Sequence, residues 1–162
     1  MTMPDASFSA LRPAGLEDLA TLEAIDQRCF PRGIAYPKEE IAALLRARSA
    51  LTLVAERAGV VAGFASMRLL QARRSPPPPR RGELITIDVL PEFRRARVGW
   101  DLYAALEDWL RANGGQGIEL NVAVDNLAAL RFYQRLGYTV VARVPRYYLQ
   151  SVDAWRMEKS VS

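Results

Sequence analysis

The sequence predicts an α/β fold, a mixed central sheet of about seven strands flanked by four helices. Three observations predict it. β-Branched runs and amphipathic helical patterns follow one another in the order β-α-α-β-β-β-α-β-α-β-β. Turn residues such as Pro31, Gly33, Pro37 and Asn113-Gly114-Gly115 punctuate those segments. The 162 residues are 50% apolar and 25% charged, ordinary proportions for one globular domain with a core of its own.

Phe8–Pro13 reads as the first strand. Leu16–Phe30 carries Leu16, Leu19, Leu22, Ile25 and Phe30 near helical spacing, with Glu17 and Asp18 in its first turn. After the Pro31–Pro37 break a second helix runs over Lys38–Ala47. Leu51–Glu56 and Val60–Leu70 form a hairpin around Arg57-Ala58-Gly59. Gln71–Gly82 holds four consecutive prolines, which cannot join a central strand or helix, so 71–82 is an extended surface loop. Each flank is too short to fold alone, so residues 1–162 are read as a single domain.

Glu83–Val89 is the fourth strand. The next helix, Val98–Ala112, places Val98, Leu102, Leu106 and Trp109 on one face and stops at Asn113-Gly114-Gly115. Gly117–Val122 is a strand, Asn126–Leu136 a helix ended by Gly137, and Tyr138–Val144 a further strand. Tyr147–Tyr148 and Trp155–Val161 supply the last one.

Composition excludes several chemistries. No apolar run reaches membrane-spanning length, so no membrane is expected. The N-terminus MTMPDASFSALRP lacks the basic segment and apolar core of a secretory signal. A single cysteine, Cys29, allows no internal disulfide and no metal cluster, and a cytoplasmic setting is the simplest reading. Histidine is absent, which removes imidazole triads, imidazole metal sites and a histidine base together. The net charge is +4, with arginines clustered at Arg73–Arg74, Arg80–Arg81 and Arg94–Arg97. The first two clusters read as solvated surface rather than a nucleic-acid patch.

The third cluster sits elsewhere. Pro91 ends the fourth strand, and the N–H groups of Arg94–Trp100 then open a helix. Basic residues are unfavourable at a helix N-terminus, so Arg94, Arg95 and Arg97 there point to a bound anion. Farther on, Asn126, Ala129, Tyr133 and Leu136 are spaced to share one helix face.

These two stretches together resemble the GNAT superfamily of acetyl-CoA-dependent N-acetyltransferases. Its phosphate loop reads Arg/Gln-x-x-Gly-x-Gly/Ala, and Arg94 and Gly99 match while Arg97 stands at a glycine position. An ordinary helical φ at residue 97 would keep its N–H inward and its side chain outside. A positive φ would strain an arginine and weaken the cradle. Asn126, Ala129, Tyr133 and Gly137 match the family pattern Asn-x-x-Ala-x-x-x-Tyr-x-x-x-Gly. The resemblance implies the GNAT-type sheet, acetyl-CoA as cosubstrate and no metal. It implies a cofactor site of Ile87, Asp88, Val89, Arg94, Arg95, Ala96, Arg97, Val98, Gly99, Trp100, Asn126, Ala129 and Tyr133. Tyr133 would also protonate the departing thiolate as the catalytic acid.

The tail Arg146-Tyr147-Tyr148, Asp153-Ala154 and Met157 resembles the Tyr-Tyr…Asp-Ala…Met tail of members that acetylate protein N-termini, the ribosomal-protein alanine type above all. By the same resemblance Phe30, Tyr36, Asn121, Tyr147 and Tyr148 are the substrate-binding residues. The likeness covers roughly residues 8–159.

The base is less conventional. Alanine-type members carry a Glu five residues before the Asn, where this chain has Asn121. Others place a Glu or Tyr eleven residues before the loop's first Arg, here Glu83, which is therefore assigned as base through water, with Asn121 orienting that water. Asp88 falls on the opposite strand face and ranks lower. An α-amine (pKa about 7.7–8.0) needs far less help than lysine (about 10.4), so a weakly placed base suits an N-terminal amine. Cys29 has no neighbour in sequence to activate it as an acyl carrier.

The expected activity is acetyl transfer to a protein or peptide N-terminal amine by direct attack, in a monomer or homodimer. Two alternatives stay open. One is an acetyltransferase of a small amine such as an amino acid, polyamine or aminoglycoside. The other is a non-catalytic RNA- or ribosome-binding module, although nucleic acid is not the expected partner.

Overall fold

The computed structural model describes residues 10–31, 33–148 and 151–161. The expected start of the first strand, Phe8 and Ser9, lies outside them. The elements are β1 (Ala10–Pro13), α1 (Leu19–Cys29), α2 (Lys38–Arg46), β2 (Ala50–Arg57), β3 (Val60–Leu69), β4 (Arg81–Val89), α3 (Val98–Ala112), β5 (Gly117–Ala123), α4 (Leu127–Arg135), β6 (Thr139–Tyr148) and β7 (Val152–Ser160). The strands form one seven-stranded mixed sheet in the order β1-β2-β3-β4-β5-β7-β6. This is the predicted class and element order.

The chain divides into two compact units, Met1–Arg68 with Thr86–Trp109, and Leu69–Ile85 with Leu110–Ser162. In the first, β1 and β3 flank β2 antiparallel. Leu22, Ile25, Ile41, Val54, Phe64 and Leu90 form its buried cluster, with Cys29, Tyr36 and Phe93 packed against it. The predicted helix over Leu16–Phe30 begins instead with a single 3-10 turn, Leu16–Asp18. Asp18 explains the break. Its carboxylate accepts the Gly15 N–H at 2.8 Å and a two-pronged contact from Arg12 at 2.8 and 2.9 Å. A side chain so engaged fixes the entry turn, and Arg12 holds this carboxyl below its ordinary pKa.

Gly63 of β3 is a close-approach glycine. A Cβ there would lie 2.4 Å from the carbonyl oxygen of Asp88, so any other residue would push the end of β4 away.

On α3 the buried positions include Val98, Leu102, Tyr103 and Leu106, whereas Trp109 is only half-buried and Leu110 is 0% exposed. Trp109 is in helical phase with Val98, Leu102 and Leu106, as predicted, and Leu110, four residues after Leu106, widens the buried face.

In the second unit, β4 and β5 pair in parallel with Glu83 opposite Glu119, and β7 pairs antiparallel with both β5 and β6. Tyr147–Tyr148 belong to β6, not to the last strand as predicted. The register of β6 shifts between Val144 and Tyr148, and Arg146 takes φ +52°. A bulge of this kind absorbs Pro145 without ending the strand, so the tyrosines continue β6. Gly137, at φ +101°, terminates the α4 turn and donates its N–H to the Gln134 carbonyl at 3.1 Å.

Candidate functional site

Strict alternation along β4 assigns each residue to one face. Gly82, Leu84, Thr86 and Asp88 are buried, and Glu83, Ile85, Ile87 and Val89 are half-buried. Past Val89, Leu90 donates its N–H to Ala62 at 2.9 Å, and Pro91–Phe93 make one 3-10 turn. The loop Arg94–Arg97 then leads into α3.

That loop alternates in hand. Arg94 is extended at φ −69°, Arg95 sits at φ +64° and Arg97 at φ +65°. Left-handed residues on either side of Ala96 turn N–H groups toward one side, a backbone arrangement suited to an anion. The Arg97 carbonyl accepts the Asp101 N–H at 2.9 Å, so the helix ladder starts here and the first α3 N–H groups face forward. Of the two alternatives for residue 97, the positive φ is the observed one. The strain is present in the folded chain before any ligand arrives, so it falls on folding rather than on affinity.

The loop's side chains divide in role. Arg94, Arg95 and Arg97 are exposed, Ala96 and Gly99 half-buried, Val98 buried, and Trp100 is 39% exposed. Arg94 folds back and donates Nε–H to the Val89 carbonyl at 3.0 Å. The Asp88 carboxyl is buried and accepts the Thr86 hydroxyl, so only the backbone of Asp88 is left for a cofactor. The Arg28–Glu92 pair, two contacts of 3.0 Å that brace the end of α1 against the turn before the loop, is not legible in the sequence. Nothing local marks a pair 64 residues apart.

Also in the first unit, Phe30 is half-buried at the C-cap of α1, and Tyr36 packs against the apolar cluster. Cys29 donates its thiol to the Val89 carbonyl, and burial, with Asp88 next in weight, pushes its pKa up to about 11. A thiol so protonated near neutral pH is a poor nucleophile.

The second unit holds the other predicted residues. Asn126 caps α4, its Oδ1 accepting the Ala129 N–H at 3.1 Å. Asn126, Ala129 and Tyr133 form a half-buried stripe, while Leu127, Ala128, Arg131 and Gln134 are exposed. The Tyr133 ring packs edge-on against Phe132 and Tyr138, with centroids 5.6 and 5.8 Å away.

Asn121 of β5 is bracketed by the tyrosine pair. Its Nδ2 donates to the Tyr147 hydroxyl at 3.4 Å, and the Tyr148 hydroxyl donates to its carbonyl at 3.3 Å. The two rings meet edge to face at 4.7 Å. Tyr147 is 48% exposed, and burial raises the Tyr148 phenol above its ordinary pKa. Asn121 Oδ1 is buried and receives no hydrogen bond.

The rest of the tail is structural. Asp153 accepts the Arg146 N–H at 3.0 Å and Arg143 Nε–H at 2.7 Å, while Ala154 and Met157 are fully buried. Glu83 stands beside Glu119, whose carboxylate is ion-paired to Arg156, and Arg81 reaches Glu158 at 3.3 Å. Glu119 was not foreseen. Its signal was the alternation in Glu119-Leu120-Asn121, which puts it on the face of Asn121. Among the described residues no group of three His, Cys, Asp or Glu side chains could hold a metal ion, and no helix is long and apolar enough to cross a membrane.

Residues 19–138 match the model of the acetyltransferase (GNAT) family. An N-alpha-acetyltransferase of Sulfurisphaera tokodaii is 27% identical over 152 residues, 91% of this chain and 90% of that one. N-alpha-acetyltransferase 30 of Schizosaccharomyces pombe is 38% identical over 76 residues, 47% of this chain and 51% of that one, so that match spans about half of either protein. The crystal structure of Ard1 from Thermoplasma volcanium superposes with a TM-score of 0.83 at 26% identity, covering 95% of this chain and 98% of that one.

The positive φ at residue 97 makes a direct prediction. Arg97→Gly removes about 1–2 kcal/mol of left-handed strain and adds about 0.4–1 kcal/mol of unfolded-chain entropy. Urea unfolding should show the variant more stable by roughly 0.5–1 kcal/mol. A less stable variant would mean that Arg97 makes compensating contacts in the folded chain.

Proposed function

Because the chain belongs to the acetyltransferase (GNAT) family, we propose that it transfers the acetyl group of acetyl-CoA to a protein or peptide N-terminal α-amine by direct attack. Residues 1–162 act in this reading as one N-acetyltransferase domain. Acetyl-CoA supplies the activated thioester. The observation that carries the choice of acceptor is Asn121, an orphaned buried acceptor oxygen bracketed by Tyr147 and Tyr148. A buried carbonyl oxygen without a donor costs about 1–3 kcal/mol, and an incoming amine or its bound water removes that penalty. The N-alpha-acetyltransferase relatives support the same acceptor.

The chain's own groups divide the work. The N–H groups of Arg95–Gly99, with the Arg94, Arg95 and Arg97 charges, hold phosphate oxygens at the start of α3. Ile87, Val89 and the Asp88 backbone, together with Ala129, Trp100 and the Asn126 amide, line the remainder of the cofactor. Asn126 Oδ1 is committed to the helix cap, so its Nδ2 is the donor to the cofactor. Phe30, Tyr36, Tyr147 and Tyr148 flank the acceptor peptide. Glu83, through water held by Asn121, takes the proton the amine loses as the new C–N bond forms and the C–S bond breaks. Tyr133 gives its phenolic proton to the departing thiolate.

An N-terminal amine is already neutral in roughly a tenth of molecules at neutral pH, against well under a thousandth for lysine. A base acting only through water is adequate for the former. That difference, about 3 kcal/mol at 1.36 kcal/mol per pKa unit, favours the peptide terminus over a lysine side chain.

Free thiol released from acetyl-CoA reads the reaction directly. The enzyme should turn over short peptides with free N-termini and leave amino acids, polyamines and aminoglycosides untouched. The reverse pattern would assign a small-amine acceptor. No release, together with strongly salt-dependent RNA affinity, would replace catalysis with RNA binding. Tyr133→Phe should slow turnover while the acetyl-CoA dissociation constant stays within about threefold, and Glu83→Gln should move the pH–rate profile to higher pH. Unchanged turnover in the first would remove the acid role, and an unchanged profile in the second would remove the base role.

A further inference from the structure

Two acids in the interior of the first unit are left unexplained by acetyl transfer. Asp26 of α1 is 0% exposed and Asp88 of β4 is 1% exposed. Their carboxyls face each other within the reach of a hydrogen bond. Asp26 Oδ2 also accepts the Tyr36 N–H at 2.5 Å, and Asp88 Oδ1 accepts the Thr86 hydroxyl. One buried oxygen on each, Asp26 Oδ1 and Asp88 Oδ2, has no other donor. Ionised carboxylates only accept, so two of them cannot satisfy each other, and like charges in contact cannot both persist in an apolar interior. A single proton between them gives both orphan oxygens a partner in one charge-assisted bond.

We propose that Asp26 and Asp88 share one proton, and that this proton is a positioning device tying the α1–α2 connection to the strand end that carries the Arg94–Gly99 loop. On one side, Asp26 holds the backbone of Tyr36. On the other, Asp88 precedes Val89, whose carbonyl accepts both Arg94 Nε–H and the Cys29 thiol. The close approach at Gly63 fixes the same strand end from β3. Removing the proton places two negative charges against each other in this clamp, and the clamp opens.

The surrounding groups agree with that assignment. Burial, then the hydrogen bond and charge of Asp26, raise the Asp88 carboxyl well above 3.8, against the Thr86 hydroxyl and the Arg94 charge. Among the described residues, Cys29 on α1 and Arg94 on the loop are further titratable groups that face the pair. Cys29, at about 11, stays a thiol up to about pH 9.

The folded chain then keeps a proton that the unfolded chain loses above about pH 4. Its stabilising effect is complete below that pH and declines as pH rises through the raised value of Asp88. The shared proton stands on its own, while its consequence for acetyl-CoA rests on the function proposed above.

Carboxyl 13C NMR of the wild type should show a buried aspartate signal still at the protonated position above about pH 5, where an ordinary aspartate is ionised. Asp88→Asn, a permanent mimic of the protonated acid, removes this pH dependence. The wild-type unfolding constant should rise relative to that of Asp88→Asn by up to tenfold per pH unit as pH climbs from about 4 toward the raised value of Asp88. Asp88→Asn should also bind acetyl-CoA roughly tenfold more tightly than Asp88→Ala in titration calorimetry, because only the amide keeps the bond to Asp26. Two carboxyls that titrate near pH 4, or a flat stability ratio, would overturn the shared proton. Equal affinity in the two variants would overturn its link to the loop. A wild type that binds no acetyl-CoA would defeat the functional reading and leave the NMR result to decide the proton.

Discussion

The pleat of β4 is the constraint on which the rest depends. Because side chains alternate with a period of two, a slip of one residue would reverse every assignment along Arg81–Val89. It would move Leu84 and Asp88 to the half-buried face and Glu83 to the buried one. The register is secured in the second unit by Glu83 opposite Glu119 and in the first by the Leu90–Ala62 hydrogen bond and the approach of Gly63 to Asp88. With those in place, the Val89 carbonyl anchors Arg94, and the chain leaves the strand already aimed into the loop.

The loop balances opposing effects of comparable size. Basic residues at a helix N-terminus and non-glycine residues at positive φ are each unfavourable by about a kcal/mol. The chain accepts both at Arg95 and Arg97, in an exposed loop where no core packing requires them. An anion reverses the first penalty, since three guanidinium groups beside the helix dipole then attract it. A glycine would give the same backbone path without the charge. Under the proposed cofactor binding, arginine at residue 97 trades fold stability for ligand charge.

Much of this was legible in sequence wherever the signal is local. The bounds of α3, the Asn126 cap, the Gly137 stop and the opposite faces of Glu83 and Asp88 all follow from periodicity and end residues. Local patterns failed where a neighbour from elsewhere in the chain decides. Asp18 breaks the first helix because Arg12 and Gly15 claim its carboxylate. The bulge at Pro145–Arg146 carries the tyrosine pair along β6, and bulges leave no periodic trace. Arg28–Glu92, Asp26–Asp88 and Arg156–Glu119 join residues 64, 62 and 37 positions apart, beyond any spacing rule.

The proposed function requires the Arg94–Gly99 loop and the Asn126–Tyr133 helix to serve one cofactor. A backbone-amide NMR titration with acetyl-CoA tests it most directly. The amides of Arg95–Trp100 and those of Asn126, Ala129 and Tyr133 should shift together and saturate with one dissociation constant. Shifts confined to one of the two sets, or two separate saturation curves, would contradict it.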